Sequence, residues 1–140
     1  MRVIDSSSLG KFVNKEANWR EVAKLIEFER VSTLEFALKE VGNSIWKRVI
    51  GKEIQRETAL SVFREFMRSV FEDGLVSLVP TDENLLNSSL KLAIEERITI
   101  YDAVFIELAF RNKWGLLTSD GRQMEICKKR YDSIPVVYLK

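Results

Sequence analysis

Of the 140 residues, 21 are Asp or Glu, none is His, and Cys127 is the single cysteine. Without histidine there is no Ser-His-Asp or Cys-His catalysis, no imidazole acid–base chemistry and no His-ligated zinc. One cysteine permits neither an internal disulfide nor a thiolate zinc cluster. Any reaction run by this chain therefore rests on carboxylates, hydroxyls, Lys or Arg, with a hard cation held by oxygen ligands as the natural cofactor.

Most of the acids have ordinary explanations. Glu35 has Lys39 four residues on, Glu107 has Arg111 four residues on, Asp73 makes a turn with Gly74, and Asp82 starts a helix. Four stand apart. Asp5 and Asp120 each follow an apolar strand-like run, Val3-Ile4 and Leu116-Leu117. Glu40 lies in a helical segment where positions one turn away are Phe36, Ala37, Asn43 and Ser44, none cationic. Asp102 opens the most apolar helical run, with no cation one turn away. Taken singly, each has a structural reading: a cap for Asp5, a turn residue for Asp120, a solvated helix position for Glu40, and a helix-start charge for Asp102. Taken together, they are able to meet on one edge of one sheet. Converging carboxylates repel, and a divalent cation such as Mg²⁺ or Mn²⁺ relieves the repulsion while lowering the pKa of a bound water. An acid-only, His-free site of this kind suits phosphoryl transfer, above all phosphodiester cleavage.

The elements needed to bring these acids together are legible in the pattern. Val3-Ile4 reads as a strand followed by serine N-caps and a helix through Phe12 and Val13. Trp19, Val22, Ala23, Ile26 and Phe28 predict a second helix capped by Asn18, followed by a short strand at Arg30-Val31-Ser32. A long helix from about Leu34 to Ile50 carries a stripe of Leu34, Leu38, Val41, Ile45 and Val49. Phe36, Trp46 and Ile50 lie off the stripe, predicting packing on more than one side. Further helices follow at about Glu57 to Phe71, after Pro80 with Thr81 or Asp82 as cap, at about Tyr101 to Arg111, and through Met124 and Ile126. Strands are expected at Leu75 to Val79, Gly115 to Thr118 and Val136 to Leu139. Short apolar strands separated by helices predict an α/β fold, a three-layer α/β/α sandwich with a mainly parallel sheet, over one domain spanning residues 1–140. In such a sheet function belongs at the carboxyl ends of the strands.

The formal charge of +1 gives no overall commitment to a polyanion, so an RNA or membrane contact would need a local patch. No membrane span and no signal-like segment is read, and a cytoplasmic protein is the expectation. Lys47, Arg48, Lys52 and Arg56 cluster near the end of the long helix, and Arg122 adjoins Asp120; these are candidate backbone contacts for RNA, or simply a solvated face. Trp19, Trp46 and Trp114 are read as core or interface residues before base-stacking platforms.

Four short runs in order, Val3-Ile4-Asp5-Ser6-Ser7, Glu40-Val41-Gly42-Asn43, Tyr101-Asp102-Ala103 with Leu108-Ala109, and Leu117-Thr118-Ser119-Asp120, carry a resemblance over essentially the whole chain. The sequence resembles the PIN-domain family, and within it the VapC-type toxins of toxin–antitoxin pairs. The resemblance implies a PIN-like fold and a metal-dependent endoribonuclease acting on single-stranded RNA. It implies Asp5, Glu40, Asp102 and Asp120 as the quartet that binds Mg²⁺ or Mn²⁺, Asp5 and Asp102 being the primary ligands, with Ser6 and Thr118 supporting them. Lys47 and Arg122 would face substrate. A homodimer and a small antitoxin protein are the implied partners. Some relatives carry a further acid soon after the fourth run; here Gly121-Arg122-Gln123-Met124 separates Asp120 from Glu125, so one bound metal is expected.

Three other readings compete with this one. The second choice is a catalytically inactive PIN-like module that binds RNA or protein. A phosphoacceptor receiver domain needs an acid pair after the first strand, where this chain has serines. A dehalogenase-type phosphatase needs Asp-x-Asp, and position 7 is Ser.

Overall fold

The computed structural model describes residues 1–140. Five strands alternate with seven helices: β1 (Arg2–Ile4), α1 (Ser6–Val13), α2 (Trp19–Phe28), β2 (Val31–Leu34), α3 (Phe36–Ile50), α4 (Arg56–Phe71), β3 (Ser77–Val79), α5 (Glu83–Glu96), α6 (Ile100–Asn112), β4 (Gly115–Thr118), α7 (Gly121–Arg130) and β5 (Val136–Tyr138). The strands form one sheet in the order β3-β2-β1-β4-β5, and every neighbouring pair is parallel. The expected α/β sandwich with a parallel sheet is what the chain forms.

The topology follows from the handedness of crossovers. From β1 the chain steps outward to β2 and β3, then returns to the other side of β1 for β4 and β5. Right-handed connections that reverse direction must change face. Accordingly α1, α2, α3 and α4 pack among themselves, while α6 packs with α5 and α7. Strand order reverses between β1 and β4, the place where a parallel sheet opens a crevice at its carboxyl edge.

Burial explains the composition of the central elements. β2 and β4 are buried at every position, and β1 at Val3 and Ile4, which is why these strands read as unbroken apolar or small-residue runs. Residues 103–109 of α6 are all buried because this helix lies against β1 and β4 with α5 and α7 at its sides. One apolar cluster of 28 buried residues joins both layers. Phe36 locks them at the sheet edge, its ring centroid 5.3 Å from that of Phe105 and 5.7 Å from that of Tyr101.

Several local expectations need correction. Asn18 precedes α2 but does not cap it: its backbone is left-handed, with φ 68°, and its side-chain amide donates to the carbonyl of Lys140. Of the three residues off the α3 stripe only Phe36 is packed between elements; Trp46 and Ile50 are 55% and 62% exposed. Glu35 and Lys39 form no ion pair. Arg111 leaves Glu107 for Asp82, which it reaches at 2.6 Å, while Glu107 is buried and accepts a hydrogen bond from the Tyr131 hydroxyl at 2.7 Å.

Candidate active site

Three helices begin at the edge where strand order reverses: α1 just after β1, α7 just after β4, and α6, which crosses above both strands. Their free N–H groups and macrodipoles favour negative charge there. Asp5 and Asp120 are the N-caps of α1 and α7. Asp5 Oδ1 accepts from the Ser8 amide at 2.9 Å, and Asp120 Oδ1 accepts from the amides of Arg122 and Gln123 at 2.8 and 3.2 Å. Asp102 sits in the first turn of α6, its own amide donating to the Thr99 hydroxyl. Asp5 is thus the cap its position suggested, Asp102 the helix-start acid, and Asp120, read from the sequence as a turn residue, is a helix cap at the same edge.

Glu40, Asp102 and Asp120 line a single polar groove of about 270 Å³, together with Ser6, Ser7, Asn43, Ser44, Lys47, Phe105 and Gln123. Glu40 comes from the α3 layer and Asp102 from the α6 layer, so the groove is the seam between the two layers. Their charges act on one another. Glu40 is raised above the ordinary carboxylate range by desolvation at the groove and then by the negative charge of Asp102; Asp102 is raised by desolvation and then by Asp120. Lys47 is the one cationic side chain in the lining.

Asp5 stands differently. It is wholly buried and does not line the groove. Burial pushes its pKa up to about 6, against the pull of Thr118, the Ser8 amide and Ser7. Thr118 donates to its Oδ2 at 2.6 Å, and Ser7, itself a groove residue, reaches both carboxylate oxygens at 2.8 Å. No lysine or arginine is paired with it.

The serine run after β1 does more than start a helix. Ser6 donates to Glu40 at 2.7 Å, tying α1 to α3. Ser7 covers Asp5 and accepts from the Ser119 amide at 3.1 Å, while the hydroxyls of Ser8 and Ser119 meet at 3.0 Å. Thr118 both donates to Asp5 and accepts from the Asp120 amide at 2.9 Å, so one hydroxyl couples the two strand-end acids. Ser7, Ser119 and Gln123 were not singled out in the sequence; the available signal was the density of small hydroxyls directly beside both strand-end acids. Gln123 is buried, and its side-chain amide donates to Asp102 at 3.3 Å.

Two candidate substrate residues divide. Lys47 faces the groove, whereas Arg122 turns away to the carbonyl of Glu96 at 3.0 Å and to the carboxylates of Glu96 and Glu125. Of the remaining basic cluster, Arg48 is engaged by Asn14 and Glu53.

The donor chemistry around the groove fits a hard divalent cation: oxygen ligands only, mutually repelling carboxylates and no internal ion pair for Asp5. The geometry is that of an open seam, since no three acids close on one point as a ready metal cage. The hydrogen bonds explain why. Glu40 is held by Ser6, Asp5 by Ser7 and Thr118, and Asp120 by the start of α7.

Comparison with known proteins bears on the fold and the family. The chain is 26% identical over 127 residues to Ribonuclease VapC3 of Pyrobaculum aerophilum, spanning 88% of this chain and 92% of that relative. The crystal structure of PAE2754, also from Pyrobaculum aerophilum, superposes with a TM-score of 0.72 at 20% identity, over 97% of this chain and 83% of that one. VapBC2 of Rickettsia felis, bound to a DNA fragment from their promoter, superposes with a TM-score of 0.65 at 12% identity, over 99% of this chain and 98% of that one. Nucleases of the PIN family generally use divalent metals. The PIN domain family matches residues 2–129, and the chain belongs to that family, as a distant homologue of the VapC ribonuclease toxins.

Proposed function

We propose that this chain is a metal-dependent endoribonuclease cleaving single-stranded RNA, and the toxin component of a type II toxin–antitoxin pair. The observation that carries the reading is the juxtaposition of Glu40, Asp102 and Asp120 around one groove, with Asp5 buried without a counterion at the adjoining tip of β1. Asp5 and Asp102 are the proposed primary ligands of Mg²⁺ or Mn²⁺. Glu40 and Asp120 complete the charge and hold water, with Ser6 and Thr118 steadying them. When bound, the cation supplies a water of lowered pKa and neutralises charge on a scissile phosphate. Lys47 receives the RNA backbone at the rim. Residues 1–140 act as one catalytic domain, in the cytoplasm, opposed by a small antitoxin; the family relationship to VapC toxins supports that partner. No helix is long and apolar enough to cross a membrane.

Purified protein should cut unstructured RNA with Mg²⁺ or Mn²⁺ and stop on chelation. Cleavage that survives chelation, or that persists in both Asp5→Asn and Asp102→Asn, rejects the assignment. A second reading, an inactive PIN-like module that binds without cutting, is favoured by one observation: the acids are engaged by neighbours and do not close on a point. Thermal melts separate the two. A nuclease gains stability with Mn²⁺ and loses that gain in the Asp→Asn variants, whereas a module shows the same Mn²⁺-induced shift in wild type and variants.

A further inference from the structure

Gln123 is the third residue of α7, whose N-cap is Asp120. At that position a glutamine ordinarily folds back, its side-chain oxygen accepting from the backbone amide of the cap residue to complete a capping box. Here only half of that arrangement forms. Asp120 Oδ1 accepts from the Gln123 amide at 3.2 Å, but the Asp120 amide is taken by the Thr118 hydroxyl at 2.9 Å. The Gln123 side chain is thereby released from its own helix. It crosses to α6, where Nε2 donates to Asp102 Oδ1 at 3.3 Å.

The other end of the amide shows what this contact costs. Gln123 is 3% exposed, yet Oε1, the atom a capping box would use, is buried and accepts no hydrogen bond. Turning the amide over would set Oε1 against the Asp102 carboxylate, acceptor against acceptor. An orphaned buried acceptor is destabilising, and an apolar side chain of the same length would avoid it. Packing therefore does not explain a glutamine at this place, whereas a donor for Asp102 does. The donor is also neutral. Arg122, the adjacent residue, is directed to Glu96 instead, so Asp102 is oriented without being neutralised by it.

We propose that Gln123 is a positioning residue of the metal site: from the first turn of α7 it holds Asp102 by one carboxylate oxygen, leaving the other for a divalent cation. Residue 123 then serves two acids at once, Asp120 through its backbone and Asp102 through its side chain, and fixes the spacing between them across α6 and α7. The role rests on the metal-binding reading of the groove and is independent of which RNA is cut.

Gln123→Met keeps the length of the side chain and removes the amide. In urea denaturation with chelator present, this variant should be at least as stable as wild type, because the orphaned acceptor is gone. Its affinity for Mn²⁺, measured by isothermal titration calorimetry without RNA, should nonetheless fall roughly 10-fold. Gln123→Asn keeps an amide but withdraws it from Asp102 by one methylene, and should lose affinity to the same extent. A residue that only supports the fold would lose metal affinity together with stability, never against it. A Met variant that unfolds or is less stable than wild type without metal assigns Gln123 to packing and overturns the proposal. Full Mn²⁺ affinity in both Gln123 variants, with affinity lost in Asp102→Asn, overturns this role alone and leaves the metal site standing. Equal Mn²⁺ binding by wild type and Asp102→Asn, or none by wild type, removes the metal site itself and this role with it.

Discussion

Asp5 and Glu96 are both buried acids, and the chain treats them in opposite ways. Glu96, near the end of α5, is met by Lys129 at 3.1 Å, Arg130 at 3.3 Å and Arg122 at 3.7 Å. Lys129 above all, with Arg130, holds its carboxyl below the usual range. Asp5 has hydroxyls and one amide but no cation, and its pKa rises to about 6. A cluster that neutralises its own charge fastens α7 to α5. A carboxylate kept short of counter-charge at a sheet edge is the arrangement expected of a site that receives its positive charge from outside the chain.

The comparison is broken most severely at the first acid. Asp5→Asn and Asp102→Asn should each reduce Mn²⁺-dependent RNA cleavage by at least about 100-fold, more than the loss of a merely supporting hydrogen bond; single-turnover assays at saturating RNA measure this. The same Asp5→Asn change should make the metal-free protein more stable at neutral pH. An acid whose folded pKa lies above its unfolded value stabilises the folded state in its protonated form. That contribution is present below the unfolded value of 3.8 and is lost as pH rises through about 6. The shift of about two units corresponds to about 3 kcal/mol, or roughly 6–12 °C in melting temperature for a chain of this size. Melts at pH 4 and pH 8 without metal should show the wild type losing ground with rising pH and the variant not; saturating Mn²⁺ should return the difference.

Thr118→Val conserves shape while removing the hydroxyl that couples Asp5 to the Asp120 amide. It should cost about 1–3 kcal/mol by leaving buried groups unpaired, measurable by urea denaturation. Glu96→Gln tests the other pole. The lowered pKa of Glu96 means that its contribution is present above the unfolded carboxylate range and is lost as pH falls through the folded value. The variant should therefore melt lower than wild type at pH 7 and converge with it in acid, with metal-dependent cleavage intact. The smallest effect belongs to Lys47→Ala: a few-fold rise in KM for RNA, a shallower salt dependence and an unchanged kcat.

Element order was legible because it rests on local periodicity and caps. Asp82 and the glycine after Asp120 mark helix starts within a residue or two, and the apolar runs of β1 and β4 could be nothing but buried strands once flanked by helices. Asp5 and Asp120 were found for the same reason, as polar residues where apolar strands stop. Pairings were less legible. The expected Glu107–Arg111 bridge follows from helix spacing, yet Asp82 and Tyr131 compete for those side chains from distant parts of the chain. Arg122 adjoins Asp120 in sequence and leaves it for Glu96 in space.

The chain by itself determined a histidine-free, oxygen-donor chemistry, the alternation of strands and helices, and the placing of two acids at strand ends, since these depend on residue type and on neighbours a few positions away. Tertiary structure alone decided that Glu40 and Asp102 face each other across the seam between layers, that Ser7 covers Asp5, and that Leu86, Leu90 and Ile94 remain outside the core. Those outcomes depend on which side chains, remote in sequence, compete for the same hydrogen bonds and the same buried area, and that competition is settled only when the sheet and its two helical layers close.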